Sequence, residues 1–387
     1  MTEAPAARPN PLLELPRLGQ AVWLDYIRRR MLDSGELARM VVQDGLRGVT
    51  SNPAIFEKAI ASGDEYAGHI VAIAPTVGFI PRRVYEELAV EDVRRAADVL
   101  AGVHRDTEGA DGFVSLEVAP DLAHDTDGTV AEARRLWYAV RRPNLMIKVP
   151  GTREGFGATR TLLGEGIHVN VTLLFSRGAY DKVAEAYLAA LERRLERGEP
   201  VDRSASVASF FVSRIDTLVD ALLEEKIAAA DSAARRERLR ALQGRVAVAN
   251  AKLAYRHFQG LVESERWRRL AAAGARPQRL LWASTSTKNP AYRDTMYVEE
   301  LIGPDTVNTM PPETVDAFRD HGVARATLGE GLDEAKAVLA ELEASGISLR
   351  EATHQLLNEG IEKFVQPFER LLAAVETRTR ELVGGRG

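Results

Sequence analysis

Lys148 stands inside an apolar run, 145–149 (LMIKV), with Pro150 behind it and no flanking charge before Arg153. A lysine in such a run is either a neutral nucleophile or the partner of a carboxylate. Burial disfavours the ammonium and pushes its pKa down from about 10.4, and a free amine can attack a ketone to form a Schiff base. The alternative is a structural ion pair with Glu117 or Asp25, and spacing alone does not separate the two. Schiff-base chemistry needs proton transfers, because a carbinolamine must lose water and a C–C cleavage must deprotonate a hydroxyl. Asp25 and Glu117 sit in two other apolar runs and offer separate acid/base groups for those tasks.

Shorter polar side chains recur in similar positions. Thr50, Ser51 and Asn52 follow one run, Asn170 and Thr172 interrupt another, and Ser209 a third. Asn52, Asn170 and Ser209 suit the orientation of a polyol. Arg214 and Lys288 supply fixed positive charge for a phosphate, with the hydroxyls of Ser284, Thr285 and Ser286 beside them. Bland readings stand next to these. Asn52 precedes Pro53 and can be a turn residue, and Arg214 can face solvent from a following helix.

The elements that must position these residues are readable from the pattern. Apolar or β-branched runs fall at 21–26 (AVWLDY), 48–52 (GVTSN), 113–118 (FVSLEV) and 145–149 (LMIKV), then at 168–175 (HVNVTLLF), 207–214 (VASFFVSR), 279–285 (RLLWAST) and 306–310 (TVNTM). Near-continuous apolar strands suit a parallel sheet buried on both faces. Helical segments separate them. Ser34 is positioned to cap a helix carrying Leu37, Met40 and Val41 that stops near Gly45. Thr129 and Glu132 have the spacing of a capping box, and Ser176 opens a longer helix ending at Gly198.

Eight strand–helix alternations are the pattern of an α/β (β/α)8 TIM barrel, which closes a parallel sheet without edges. Barrel enzymes build their sites at the C-terminal ends of the strands, where the polar residues named above fall. The 232–276 stretch is too long for one crossover, so extra helices are expected between strands six and seven. Residues 331–383 read as further helix packed across the barrel. Residues 1–15 read as a flexible N-terminal tail and 16–387 as a single decorated barrel domain.

Composition narrows the function classes. The 387 residues are 45% hydrophobic, carry a formal net charge of −5 and include no cysteine. That excludes thiol catalysis, thiolate metal sites and a disulfide framework. No apolar run approaches the roughly 18 residues of a membrane span, and the N-terminus has no signal-peptide core. The 43 arginines against 8 lysines include pairs such as Arg94–Arg95 and a triplet at Arg28 to Arg30. They are scattered among 56 acidic residues, which reads as solvated helix faces and not as a nucleic-acid stripe. Asp125-x-Asp127-Gly128 lacks the ligand positions of a calcium loop, the histidines show no metal-like spacing, and no dinucleotide or Walker glycine pattern occurs. His124 and His168 read as polar or core histidines.

At these residues the sequence closely resembles the transaldolase family, in its longer bacterial form. The matching blocks are 48–56 (GVTSNPAIF), 114–118 (VSLEV), 145–152 (LMIKVPGT), 169–176 (VNVTLLFS), 208–215 (ASFFVSRI) and 282–289 (WASTSTKN), with 306–311 (TVNTMP) after them. The resemblance implies a transferase that moves a dihydroxyacetone unit between sugar phosphates without a cofactor or metal, in the non-oxidative pentose phosphate pathway. It implies Lys148 as the Schiff-base lysine, Asp25 as the acid/base at the donor C4 hydroxyl, and Glu117 as the acid/base working through a water held by Thr172. Asn52 and Asn170 match the residues holding the dihydroxyacetone moiety, with Thr50 and Ser209 nearby, and Arg214 the phosphate-binding arginine.

The chain departs from the family at Lys288, where many members have an arginine. It also leaves open whether Ser284 or Ser286 contacts phosphate. Expected partners are small-molecule sugar phosphates, with neither nucleic acid nor membrane. A cytoplasmic location is expected, and self-association into a homo-oligomer is left open.

Overall fold

A computed structural model of the chain describes residues 9–61 and 64–384. Eight parallel strands close into one barrel in chain order. They are β1 (Gln20–Asp25), β2 (Gly48–Thr50), β3 (Phe113–Glu117) and β4 (Leu145–Pro150), then β5 (Val169–Leu174), β6 (Ser206–Phe211), β7 (Arg279–Ala283) and β8 (Thr306–Met310). All eight expected runs are strands, and nearly every residue in them is buried. Helices outside and side chains inside bury both faces of a parallel barrel, hence the unbroken apolar character.

Register places the polar residues side by side. Asp25 pairs with Thr50 across β1–β2, Glu117 with Lys148 across β3–β4, and Lys148 with Asn170 across β4–β5. The C-terminal end of the barrel therefore carries a continuous arc of acid, amine and amide. Close packing fixes part of that register. A Cβ on Gly48 would lie 2.4 Å from the Trp23 ring, so β1 and β2 approach only because residue 48 has no side chain.

The expected extra helices are present between β6 and β7, at Ala233–Arg240, Val246–Val262 and Glu265–Ala272. The C-terminal region forms Leu332–Ala344 and the 36-residue helix Leu349–Gly384. The latter packs against the helix Pro53–Ala61 and reaches β5, crossing the C-terminal mouth of the barrel. Its Gly360 lies against Leu173 of β5, where a Cβ would come within 3.0 Å of the leucine side chain. Leu173 itself has φ 61°, at an irregularity in the β5–β6 ladder. A branched side chain is uncommon in that left-handed region and costs backbone strain.

Four local expectations are corrected. Residues 1–8 of the expected tail lie outside the described residues, but from Asn10 onward the chain is built into the fold. Asn10 caps the 3-10 turn Pro11–Glu14, and Leu12 and Leu15 are fully buried. Pro11 and Pro16 each start a short helical turn, where a missing N–H costs nothing. Ser34 ends the helix Arg29–Asp33, and the next one, Glu36–Gln43, starts from Gly35 at φ 70°. The Thr129–Glu132 helix starts earlier, at Thr126, capped by Asp125. The Thr129 hydroxyl donates to the Leu122 carbonyl, and Glu132 accepts from the Ala119 N–H. Lastly, β6 ends at Phe211, so Arg214 lies in the first turn of the helix Ser213–Ala228. The Ser176 cap is found as expected, accepting from the Ala179 N–H.

Candidate active site

A cavity of about 1040 Å³ opens at the C-terminal mouth of the barrel. Ten of the twelve candidate residues line it: Asp25, Thr50, Asn52, Lys148, Thr172, Ser209, Arg214, Ser284, Ser286 and Lys288. Glu117 and Asn170 stand just behind that wall, touching residues that do line it.

Lys148 is 5% exposed, at the cavity wall. Its Nζ donates to the Ser51 carbonyl at 3.2 Å and lies 3.4 Å from Glu117 Oε2. The ring of Phe364, from the C-terminal helix, covers it with the centroid 5.5 Å from Nζ. An amine held by one carbonyl, one carboxylate and an aromatic face keeps a lone-pair direction available once deprotonated, and it faces open cavity. The ion-pair partner anticipated for Lys148 is thus Glu117, yet the contact is not aligned as a hydrogen bond, and neither Glu117 oxygen has a hydrogen-bond partner among the described residues.

Glu117 is accordingly poised. Burial pushes its pKa up to about 7, with nearby Lys148 pulling it down and Asp25 pushing it further up. A carboxyl titrating near neutrality can both give and take a proton, as general acid–base work requires. Asp25 differs: it is half-buried at the rim and accepts from the Thr50 hydroxyl at 2.7 Å. With Thr50 donating to Asp25, the Thr309 hydroxyl supplies the proton of its own 2.8 Å bond to Thr50.

The polyol-orienting residues form a second chain. Ser209 Oγ donates to Asn170 Oδ1 at 2.6 Å, and Asn170 Nδ2 donates to Ser115 Oγ at 3.0 Å. Both neighbours fix the amide and leave it one further hydrogen and one lone pair. Thr172 is fully buried and its hydroxyl has no protein partner among the described residues, though it lines the cavity. A buried unpartnered hydroxyl costs free energy unless a water or ligand satisfies it. Asn52 combines both readings offered for it. Its Oδ1 caps the helix Pro53–Ala61 by accepting from the Ile55 N–H at 3.1 Å, so its amide nitrogen is what it can offer a ligand.

Positive charge gathers on the other side of the mouth. Arg214 has a buried Nη1 with no hydrogen-bond partner and lies over the Phe211 ring, 5.3 Å from its centroid. Burial pulls its pKa down, opposed by Asp25 and Glu359, so an anion would stabilise it. Lys288 Nζ donates to Ser286 Oγ at 2.5 Å, whereas Ser284 Oγ bonds Ser213 Oγ at 2.9 Å. Ser284 adopts φ 56°, another left-handed residue at the site.

Comparison with known proteins settles the kinship. The model of the family described as Transaldolase/Fructose-6-phosphate aldolase matches residues 22–375. The chain belongs to the transaldolase/fructose-6-phosphate aldolase family. Among its relatives is a transaldolase of Trichodesmium erythraeum, 47% identical over 376 residues, covering 96% of this chain and 98% of that protein. A transaldolase of Thermobifida fusca is 49% identical over 367 residues (95% and 97% of the two chains). One of Neisseria gonorrhoeae is 47% identical over 362 residues (94% and 98%). The family match runs to residue 375, so most of the C-terminal helix over the barrel mouth lies within the matched region.

Sequence reading missed several contributors. Arg28 lines the cavity, although its triplet looked like a solvated face. Arg29 is buried against Asp92, with Nε–Oδ1 at 2.5 Å. Phe364 and the Ser51 carbonyl contact Lys148 from far along the chain or through backbone, which no side-chain pattern announces. His168 is half-buried, packed against Phe113 and Trp137 with its Nδ1 accepting from the Ala205 N–H, and desolvation pulls its pKa down to about 4.

Proposed function

We propose that the protein is a transaldolase, transferring a dihydroxyacetone unit from sedoheptulose 7-phosphate to glyceraldehyde 3-phosphate to give erythrose 4-phosphate and fructose 6-phosphate. The observation that carries this reading is the Lys148 amine, buried at the cavity wall between Glu117 and Phe364. Family membership and the 46–49% identity to proteins named transaldolase support it.

In the proposed cycle Lys148 attacks the C2 ketone of the donor. Glu117, with a water on the unpartnered Thr172 hydroxyl, gives the proton that lets the carbinolamine lose water to the imine. Asp25 takes the C4 hydroxyl proton, the C3–C4 bond breaks, and its electrons pass to the imine as an enamine while the aldose phosphate leaves. The enamine then attacks the aldehyde of the acceptor, and water returns across the imine to free the new ketose and Lys148. Asn52, Asn170, Ser209 and Thr50 hold the dihydroxyacetone oxygens, and Arg214, Lys288 and the serines beside it hold phosphate. The expected setting is the cytoplasmic, non-oxidative pentose phosphate pathway. Among the described residues no helix is long and apolar enough to cross a membrane.

The test is release of glyceraldehyde 3-phosphate from fructose 6-phosphate, with and without erythrose 4-phosphate, on wild type and Lys148→Ala. Release that needs the acceptor and disappears in the variant supports the transferase. Release without acceptor would make the protein an aldolase, and full activity in the variant would remove Lys148 from the chemistry.

A further inference from the structure

Arg28 shares with Arg214 a buried guanidinium nitrogen that has no hydrogen-bond partner, at the wall of the same cavity. Many of the other arginines are tied to carboxylates in surface ion pairs. Arg28 has no carboxylate partner among the described residues, yet it is half-buried, its Nε is buried without a hydrogen-bond partner, and it lines the catalytic cavity. A guanidinium nitrogen withdrawn from water and left unsatisfied costs free energy, and an arriving anion would offset that.

Its backbone is held firmly. The next residue, Arg29, donates through Nε to buried Asp92 at 2.5 Å, and its N–H donates to the Tyr66 hydroxyl, which in turn donates to Asp92 at 2.7 Å. One residue further, the Arg30 N–H donates to Glu65 at 2.6 Å. The Arg28 guanidinium itself lies 5.8 Å from the centroid of the Tyr26 ring, an aromatic face that positions a cation without neutralising it. A clamped backbone and an uncommitted head group are what a preorganised anion contact requires.

Topology relates Arg28 to Arg214 and Lys288, the two cations expected to hold phosphate. Arg214 follows β6, Lys288 follows β7 and Arg28 follows β1, and β6, β7, β8 and β1 are consecutive around the closed barrel. The three therefore stand on one arc of the mouth, across from β4 and Lys148. At Lys288 this chain has a point charge that cannot form a two-pronged bond to phosphate.

We propose that Arg28 is a third phosphate-binding residue of this site, supplying to the sugar phosphate's terminal phosphate the planar guanidinium contact that Lys288 cannot. The proposal rests on the sugar-phosphate reading of the cavity and adds to it a residue outside the matched blocks. Arg28 acts on binding: it touches the phosphate, not the reacting carbons, so its effect falls on phosphorylated substrates alone.

The experiment compares Arg28→Ala, Arg28→Gln and Arg28→Lys with wild type on two acceptors, glyceraldehyde 3-phosphate and unphosphorylated glyceraldehyde. Loss of a charge-assisted contact should raise KM for the phosphorylated acceptor by about 10-fold or more. KM for glyceraldehyde and kcat should hold within about two-fold, with Arg28→Lys recovering part of the loss. Inhibition by inorganic phosphate, read as Ki, should weaken in parallel. Equal changes on both acceptors, or no change on either, would overturn the proposal. Should Arg28→Ala fail to fold, Arg28→Gln keeps the stem and decides the matter. A wild type that binds inorganic phosphate but transfers nothing would refute the transferase reading, while the loss or retention of that binding in Arg28→Gln would still judge Arg28.

Discussion

Glu117 and Thr172 are the residues whose environments say most about their roles. Burial raises the Glu117 pKa to about 7, so in the folded state it keeps its proton where an ordinary carboxyl has lost it. The sign of the linkage follows. The folded protein binds more protons than the unfolded chain between the ordinary carboxylate range and about 7. The stability this group confers is therefore complete at acid pH and is lost as pH rises through about 7. Glu117→Gln removes that dependence. The melting temperature of wild type relative to the variant should fall from about pH 5 to about pH 8; a difference that stays flat would mean that Glu117 is ordinary. The same variant should lose at least about 100-fold in kcat. Thr172 makes the complementary case. Its hydroxyl has no protein partner to lose, so Thr172→Val should leave stability within about 1 kcal/mol. Activity should fall about 10- to 100-fold if the hydroxyl holds a working water. A variant that is strongly destabilised but fully active would place Thr172 in the core and outside the chemistry.

At the scale of elements, the C-terminal helix Leu349–Gly384 is the feature that turns an open barrel mouth into a covered site. Phe364 lies over Lys148, and Gly360 lets the helix approach Leu173 and Arg214. Phe364→Ala should cost about 3 kcal/mol as a buried ring is removed. By admitting water beside Lys148, it should also raise acceptor-independent release of dihydroxyacetone. Both are measurable, by thermal or denaturant unfolding and by product analysis without acceptor, and unchanged partitioning would mean the helix only stabilises. These contacts were invisible in the sequence because Phe364 and Lys148 are joined only by the packing of distant elements. Strands were legible because a buried parallel barrel demands unbroken apolar runs. Caps were less so: Ser34 and Thr129 carry capping chemistry, yet Gly35 and Asp125 take those roles because tertiary packing sets where each helix starts. Arg214 was placed on a strand because its run stays apolar up to Val212, beyond the point where the chain turns into the helix Ser213–Ala228.

For the whole molecule, strand–helix alternation was enough to specify the barrel and to locate the site at the strand C-termini, because parallel strands bring all eight C-terminal ends and the loops that follow them to one mouth, where barrel enzymes build their sites. Charge was harder to read. Composition places Arg28, Arg29 and Arg30 in one class, but the fold sends Arg28 to the cavity, buries Arg29 on Asp92 and leaves Arg30 exposed. The N-terminal segment shows the same limit, since only the assembled barrel offers Leu12 and Leu15 a place to bury. What the molecule as a whole builds is a walled cavity with an amine on one side and cations on the other. The claim at its centre is that Lys148 forms an imine with the donor. The most direct measurement is borohydride reduction of the protein with fructose 6-phosphate, followed by peptide mass mapping. The account predicts one reduced dihydroxyacetone adduct, on Lys148, formed in wild type and missing in Lys148→Ala. An adduct on another lysine, or none while the enzyme turns over, would contradict it.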